Sequence, residues 1–404
     1  MKAKLSLIAA ACILTSTAMA QQSGVTIYGL ADIGITSVSG YRQGTVIGVN
    51  SGIMEGSRWG IRTSEDLGGG WRVISTLESR AELDTGAVGN RPPSGTQLPD
   101  RLTVGLLPSV AAGVAGAIGP TLGVNTTNNL FDRQAWVGLI TPIGGFLAGR
   151  QYTPAFEALA TFDIMQTQSA LSAGQLVTIP AGVEIRQNNS LQYRIVQGPI
   201  SASAMVGFGE TGSTSNSRLL GIAATYKTDR FSAGFGYNTK NNSAGQKALS
   251  TFVVGGSANF SSISVSGMMA NIKEPNASSG PELLAGLTGS GVPVAIVNSV
   301  IDRLKQDANL LHLGARYTLS NASHVTVAIN RLNDKRASNA DTTSYGMAYT
   351  YPLSKRTNLN LVLTKFNNSA NAQAAPGGNG YLGGVTASAG KDATSIAIGL
   401  RHTF

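Results

Sequence analysis

Cysteine is nearly missing from this chain. Cys12 is the only one among 404 residues, and it lies within the first twenty. Charge is sparse as well, at 13% Asp, Glu, Lys and Arg, about half the usual share. The three histidines, His312, His324 and His402, are scattered and sit in no motif. Beyond the N-terminus, no apolar stretch is long and unbroken enough to cross a membrane as a helix. Each shortage removes a class. No disulfide scaffold is available, and no zinc site of ordinary spacing. Hydrolytic machinery needs a nucleophile, a base and an orienter within reach, and no such set is recognisable. The basic residues form no run suited to nucleic acid. Glycine pairs such as those in "GFGYNTKNN" lie in alternating segments, against a dinucleotide loop. The expectation is a protein that is not an enzyme and has no cofactor, no metal and no nucleic-acid partner.

What is present begins with an export signal. "MKAK" is a basic lead, "LSLIAAACIL" a short apolar run, and "AMA" before Gln21 a small-residue cleavage site. Residues 1–20 are therefore expected to be removed, leaving 21–404 as one domain. Loss of Lys2 and Lys4 leaves 28 basic and 21 acidic residues, a net charge of +7.

Period-2 alternation recurs along the rest. "VTIYGLADIGI" puts Val25, Ile27, Ala31 and Ile33 on one face, and Thr26, Tyr28 and Asp32 on the other. "WRVISTLES", "HLGARYTL", "NLNLVLT" and the closing "SIAIGLRHTF" repeat the pattern. Segments of about ten residues with turn residues between them are the signature of a transmembrane β-barrel. A soluble sandwich also alternates. Here, however, glycine and alanine crowd the polar face, and aromatics gather near strand ends, as in an interfacial girdle.

Tight connections occur at 64–70, 141–145, 197–199, 227–230, 259–262, 319–323 and 352–357. Seven short turns separate eight hairpins, which predicts sixteen strands enclosing an aqueous channel. Three connections are long, at roughly 83–129, 153–188 and 273–308. A loop of such length is usually functional. The stretch from Leu106, "LLPSVAAGVAGAIGPTLGV", holds two prolines and several glycines and reads as loop. The apolar parts of 102–124 and 283–300 are left with two placements, over a neighbouring subunit or over their own barrel.

The segments "VTIYGLADIGI", "GSRWGIRTSEDLGGGW", "FDRQAWVGL", "GRQYTP", "YPLSKRTNL" and the terminal "GLRHTF" resemble the Gram-negative general porins of the neisserial and betaproteobacterial type. The matches run in the family's order from residue 24 to 404. The resemblance implies an all-β fold: a 16-stranded antiparallel transmembrane β-barrel, with a third external loop folded into the lumen, assembled as a homotrimer. That gives 153–188 a role. The resemblance also implies a field across the constriction, with arginines on the wall facing acids on the loop.

The residues bear on this independently. If Trp59 and Ile61 face lipid, Arg58 and Arg62 face inward, since an arginine on the lipid face would cost about 2–4 kcal/mol. Arg194 alternates with Leu191, Tyr193 and Ile195 and goes inward, and Arg186 follows if the strand begins that early. Arg133 is placed inward because Trp136 is expected toward lipid and because the family has a wall arginine at this motif. Arg150 and Arg80 are secondary candidates. Glu157 and Asp163 are the loop acids expected opposite. The pore-constriction set is thus Arg58, Arg133, Arg194, Arg186, Glu157 and Asp163. A wall of arginines favours anions. The expected function is passive diffusion of ions and small hydrophilic solutes across the outer membrane. The expected surroundings are outer-membrane lipid and lipopolysaccharide. A channel specific for a sugar or small organic anion is the alternative.

Overall fold

A computed structural model of the chain describes residues 24–166, 169–177, 182–210, 212–319, 322–377 and 383–404. The export signal expected at 1–20 lies outside the described residues. The strands are β1 (Gly24–Tyr41), β2 (Gly44–Ser51), β3 (Arg58–Gly68), β4 (Trp71–Arg80), β5 (Gln134–Thr141), β6 (Gly144–Tyr152) and β7 (Arg186–Gln197). They continue with β8 (Ile200–Gly207), β9 (Leu219–Lys227), β10 (Phe231–Asn241), β11 (Lys247–Phe260), β12 (Ile263–Glu274) and β13 (Gln306–Thr318). The last are β14 (His324–Asp334), β15 (Thr342–Pro352), β16 (Thr357–Asn368), the two-residue β17 (Ala374–Ala375) and β18 (Gly384–Val385), and β19 (Ala393–Thr403).

Neighbours in sequence pair antiparallel, and the ladder closes where β1 meets β19, Leu30 opposite Thr403 and Val38 opposite Ser395. β1 is long because it serves two partners. Its C-terminal half pairs with β2, and its N-terminal half with β3. β2 and β3 thus occupy one position in the barrel, interrupted by residues 52–57. Among the described residues the result is a closed antiparallel barrel of sixteen strand positions. Closure satisfies the backbone in lipid and leaves no edge.

The alternation read from the sequence sets the faces. Ile35, Val49 and Ile398 stand side by side and are 62%, 55% and 60% exposed. Asp32 and His312, on the opposite face, are buried. An apolar band of this extent exceeds what a soluble monomer exposes. At the turn end the band finishes in exposed aromatics, among them Trp71, Phe146, Tyr226, Phe231, Phe260 and Tyr317. Phe231 and Phe260 meet edge to face at 6.4 Å. Such a girdle marks the membrane interface.

The long connections hold more structure than the sequence suggested. The stretch read as loop from Leu106 contains helix α2 (Pro108–Ile118), after the short α1 (Asp100–Thr103). Pro108 sits in the first turn, where its missing N–H costs nothing. Val114 and Ile118, four residues apart, bury one face. The connection after β12 forms α4 (Gly280–Gly289) and α5 (Val294–Leu304), with α3 (Pro154–Phe162) lying between these pairs in sequence. A fourth long connection, between β16 and β19, went unread.

Candidate functional site

Residues directly opposite in an antiparallel ladder share a face. Ile27, Ile61, Leu77 and Ala135 form one such row, and Ile27 is in the exposed band. The next row, Tyr28, Gly60, Glu78 and Gln134, lies on the other face. There the acid on β4 collects the charge. Arg133 donates from Nε to Glu78 Oε1 at 2.8 Å. Arg58 Nε approaches Glu78 Oε2 at 3.6 Å, and Tyr28 donates to the same oxygen at 2.9 Å. Tyr152 accepts at its hydroxyl from Arg133 at 3.1 Å and Arg186 at 3.0 Å. The Arg186 guanidinium also lies 4.7 Å from the Tyr152 ring centre, a cation–π distance. Arg62 does the same over Tyr28 at 3.9 Å.

A second acid enters from the interruption in the barrel. Asp32 accepts the amides of Ile53 at 3.0 Å, Met54 at 2.9 Å and Glu55 at 2.8 Å. This holds residues 52–57 off the ladder and points Glu55 at two arginines. Its carboxylate lies 3.0 Å from Arg58 Nη2 and 2.6 Å from Arg401 Nη2. The site therefore joins Arg58, Arg133, Arg186 and Arg401 around Glu55, Glu78 and Tyr152. Guanidinium groups outnumber carboxylates within it.

Of the residues singled out from sequence, Arg58, Arg133 and Arg186 come together. Arg194 lies apart and pairs with Glu157 of α3, donating from Nε to Gln192 Oε1 at 3.0 Å. The contacts of Asp163 lie elsewhere. It is buried, and its oxygens accept the amides of Met165 at 2.9 Å and Ala173 at 3.0 Å. Its task is to shape its own loop. Of the secondary candidates, Arg80 is enclosed by Glu82 and Asp132, both at 3.4 Å. Arg150 donates from Nε to the Asp132 carbonyl at 2.6 Å.

The expectation for Trp136 is overturned. It lies opposite Thr76, which lies opposite Arg62, so it shares the arginine face. Arg133 reaches Glu78 for another reason. It precedes the first residue of β5, so strand parity does not govern it, and its own amide donates to the Glu78 carbonyl at 3.2 Å. Glu55 and Arg401 were missed as site residues. The signal for Glu55 was the break in alternation at "GIMEGS" before Arg58.

Residues 153–166 and 169–177 pack on the face away from the apolar band. Thr153 caps α3, accepting the Phe156 amide at 3.4 Å. Glycines make room for the helix: a Cβ at Gly255 would stand 2.6 Å from Phe162, and one at Gly236 2.6 Å from the Pro154 carbonyl. Farther on, His312 accepts the Ile164 amide at Nε2 at 3.0 Å, which leaves Nδ1–H for Asn330 Oδ1 at 2.6 Å. Arg316 donates to the Ile164 carbonyl at 2.9 Å, and Asn330 to that of Leu171 at 2.9 Å.

Known proteins are similar to this chain over nearly its whole length. Outer membrane porin protein 32 of Delftia acidovorans is 27% identical, covering 99% of this chain and 100% of its own. An outer membrane porin protein of Bordetella pertussis is 24% identical, with the same coverages. Among solved structures, the anion-selective porin from Comamonas acidovorans superposes with a TM-score of 0.71, at 21% identity and 95% and 100% coverage. OmpT of Vibrio cholerae reaches 0.60 at 11% identity, over 96% and 99% of the two chains. A sequence profile of Gram-negative porins matches residues 6–371, and with the closed barrel and its apolar band this establishes that the chain belongs to the Gram-negative porins, channel proteins of the outer membrane.

Proposed function

We propose that this porin passes ions and small hydrophilic solutes passively, with a preference for anions imposed by arginines on the channel wall. The carrying observation is that Arg58 and Arg133 share a single carboxylate, Glu78. Arg401 and Arg186 add charge beside them, with Glu55 as the second acid. In this reading residues 153–188 lie in the lumen and narrow it against the arginine wall. Their contacts with Ser266, His312, Arg316 and Asn330 support that placement. Glu157 against Arg194 supplies the loop-to-wall pair, and Asp163 drops out of the constriction. Arginine keeps its proton at physiological pH, so the field persists. The description of the Comamonas acidovorans structure as an anion-selective porin agrees with this preference. The working form in this reading is residues 21–404, as a homotrimer in outer-membrane lipid and lipopolysaccharide.

The test is the reversal potential of the reconstituted channel in a salt gradient. An anion-selective sign is expected, and it weakens in Arg58→Ala. A cation-selective sign refutes the reading. A channel specific for a sugar or small organic anion is the second reading. It is favoured by Tyr28, Trp136 and Tyr152 standing among the arginines. Conductance block by one solute at low concentration would establish it.

A further inference from the structure

The connection after β4 and the connection after β12 leave the barrel at opposite points. With β2 and β3 sharing the second position, the first emerges between positions three and four and the other between eleven and twelve. In a ring of sixteen these gaps face one another across the full diameter. Yet the two connections are packed together. Leu102, Val114 and Ile118 from the first share one buried apolar cluster with Leu287, Val297 and Val300 from the second. Arg101 donates to the Arg303 carbonyl at 3.0 Å, and Arg303 donates to that of Val104 at 2.6 Å. Segments rooted on opposite rims meet only by crossing the opening. Since short turns mark the periplasmic end, the crossing lies over the external mouth.

Both roots are also tied sideways. Gln97 donates to the Thr386 carbonyl at 2.8 Å, and Ala389 donates its amide to Asp100 at 3.1 Å. Arg336 donates to the Arg303 carbonyl at 3.3 Å. Beneath the crossing on this side, Arg101, Val177, Asp307, Arg336 and Gln373 line a narrow, partly open pocket of about 60 Å³. Its free space is room for a few waters. The mouth is therefore covered along a diameter.

We propose that α1, α2, α4 and α5 form a fixed strap across the external mouth, a steric filter that rejects solutes by size before they reach the arginine site. The strap rests on the channel function of the family and not on the anion preference. Neutral polyethylene glycols of graded mass, added to one side of a bilayer at a time, probe it. In the unaltered protein the largest polymer that lowers conductance should be smaller from the loop side than from the turn side. In Val114→Asp and Val297→Asp, which place a charge in the strap's apolar core, the two limits should converge. Replacement of residues 104–121 by a short Gly-Ser link should do the same if either point variant fails to assemble. The reversal potential should stay unchanged in all three, which separates this test from that of the anion preference. Equal limits from both sides in the unaltered protein, or an unmoved loop-side limit in the opened variants, would overturn the proposal.

Discussion

Glu55 and Arg401 form an ion pair at 2.6 Å, joining the interrupted second barrel position to the last strand across β1. The pair exists because residues 52–57 leave the ladder; a continuous strand would have kept Glu55 in register with β1. Glu55→Gln should therefore free charge on both Arg58 and Arg401. The expected outcome is a stronger anion preference, read as a shifted reversal potential. Both partners are partly exposed, so the stability cost should stay near 1 kcal/mol.

Glu78 is a harsher case. Its side chain is nearly inaccessible, and it holds Arg133 at 2.8 Å and Arg58 at 3.6 Å. Glu78→Gln leaves the buried Arg133 without its charge partner, a change of about 3–5 kcal/mol. The denaturant midpoint should fall well below that of Glu55→Gln. In the fraction that assembles, anion preference should rise. An unchanged midpoint would show that Tyr152 alone suffices to hold Arg133.

Asp32 acts at one remove. Three amides, those of Ile53, Met54 and Glu55, donate to its carboxylate. Asp32→Ala leaves those donors unmet, at about 1–3 kcal/mol each where water cannot replace the acceptor. With its anchor gone, Glu55 should leave Arg401, and selectivity should move in the direction of Glu55→Gln. Asp32→Asn keeps one side-chain oxygen as acceptor and should lie between. A selectivity unaltered in Asp32→Ala would mean that Ser57, which donates to the Asp32 carbonyl at 2.8 Å and accepts from Ser51 at 2.9 Å, holds the excursion without the carboxylate.

Much of this was legible in the sequence because the barrel obeys two simple rules. Turn residues at seven places set the strand count, and period 2 assigned Arg58 and Arg194 to the face away from lipid. The failures fall where those rules stop. Alternation assumes a continuous strand, so the six residues that carry Glu55 inward were invisible to it. Trp136 was assigned by side-chain preference rather than register, and register put it on the other face. Asp163 read as an acid for the opposite wall, and its partners include the backbone amides of Met165 and Ala173, which no residue pattern reveals. Of the strap's helices, α2 and α4 hid in Gly- and Ala-rich composition with weak helical signal. Their burial comes from each other, across the mouth, a contact between distant segments that local periodicity does not encode.

The glycines on the inner side of β10 and β11 carry a last consequence. Gly255 lies beneath Phe162, and a Cβ there would stand 2.6 Å from the ring's Cγ. The backbone at Gly255 is not in the left-handed region, so alanine fits the strand itself; the conflict is with the loop alone. Gly255→Ala should therefore leave barrel assembly intact and push α3 off the wall, at about 1–3 kcal/mol of overpacking. If residues 153–188 narrow the channel, single-channel conductance should change, and the Arg194 to Glu157 pair should weaken with it. Trimming the ring in Phe162→Leu, combined with Gly255→Ala, should restore conductance toward the original value. A double variant no closer to the original than Gly255→Ala alone would place the strain elsewhere. A conductance unmoved in Gly255→Ala would deny the loop its part in the narrowing.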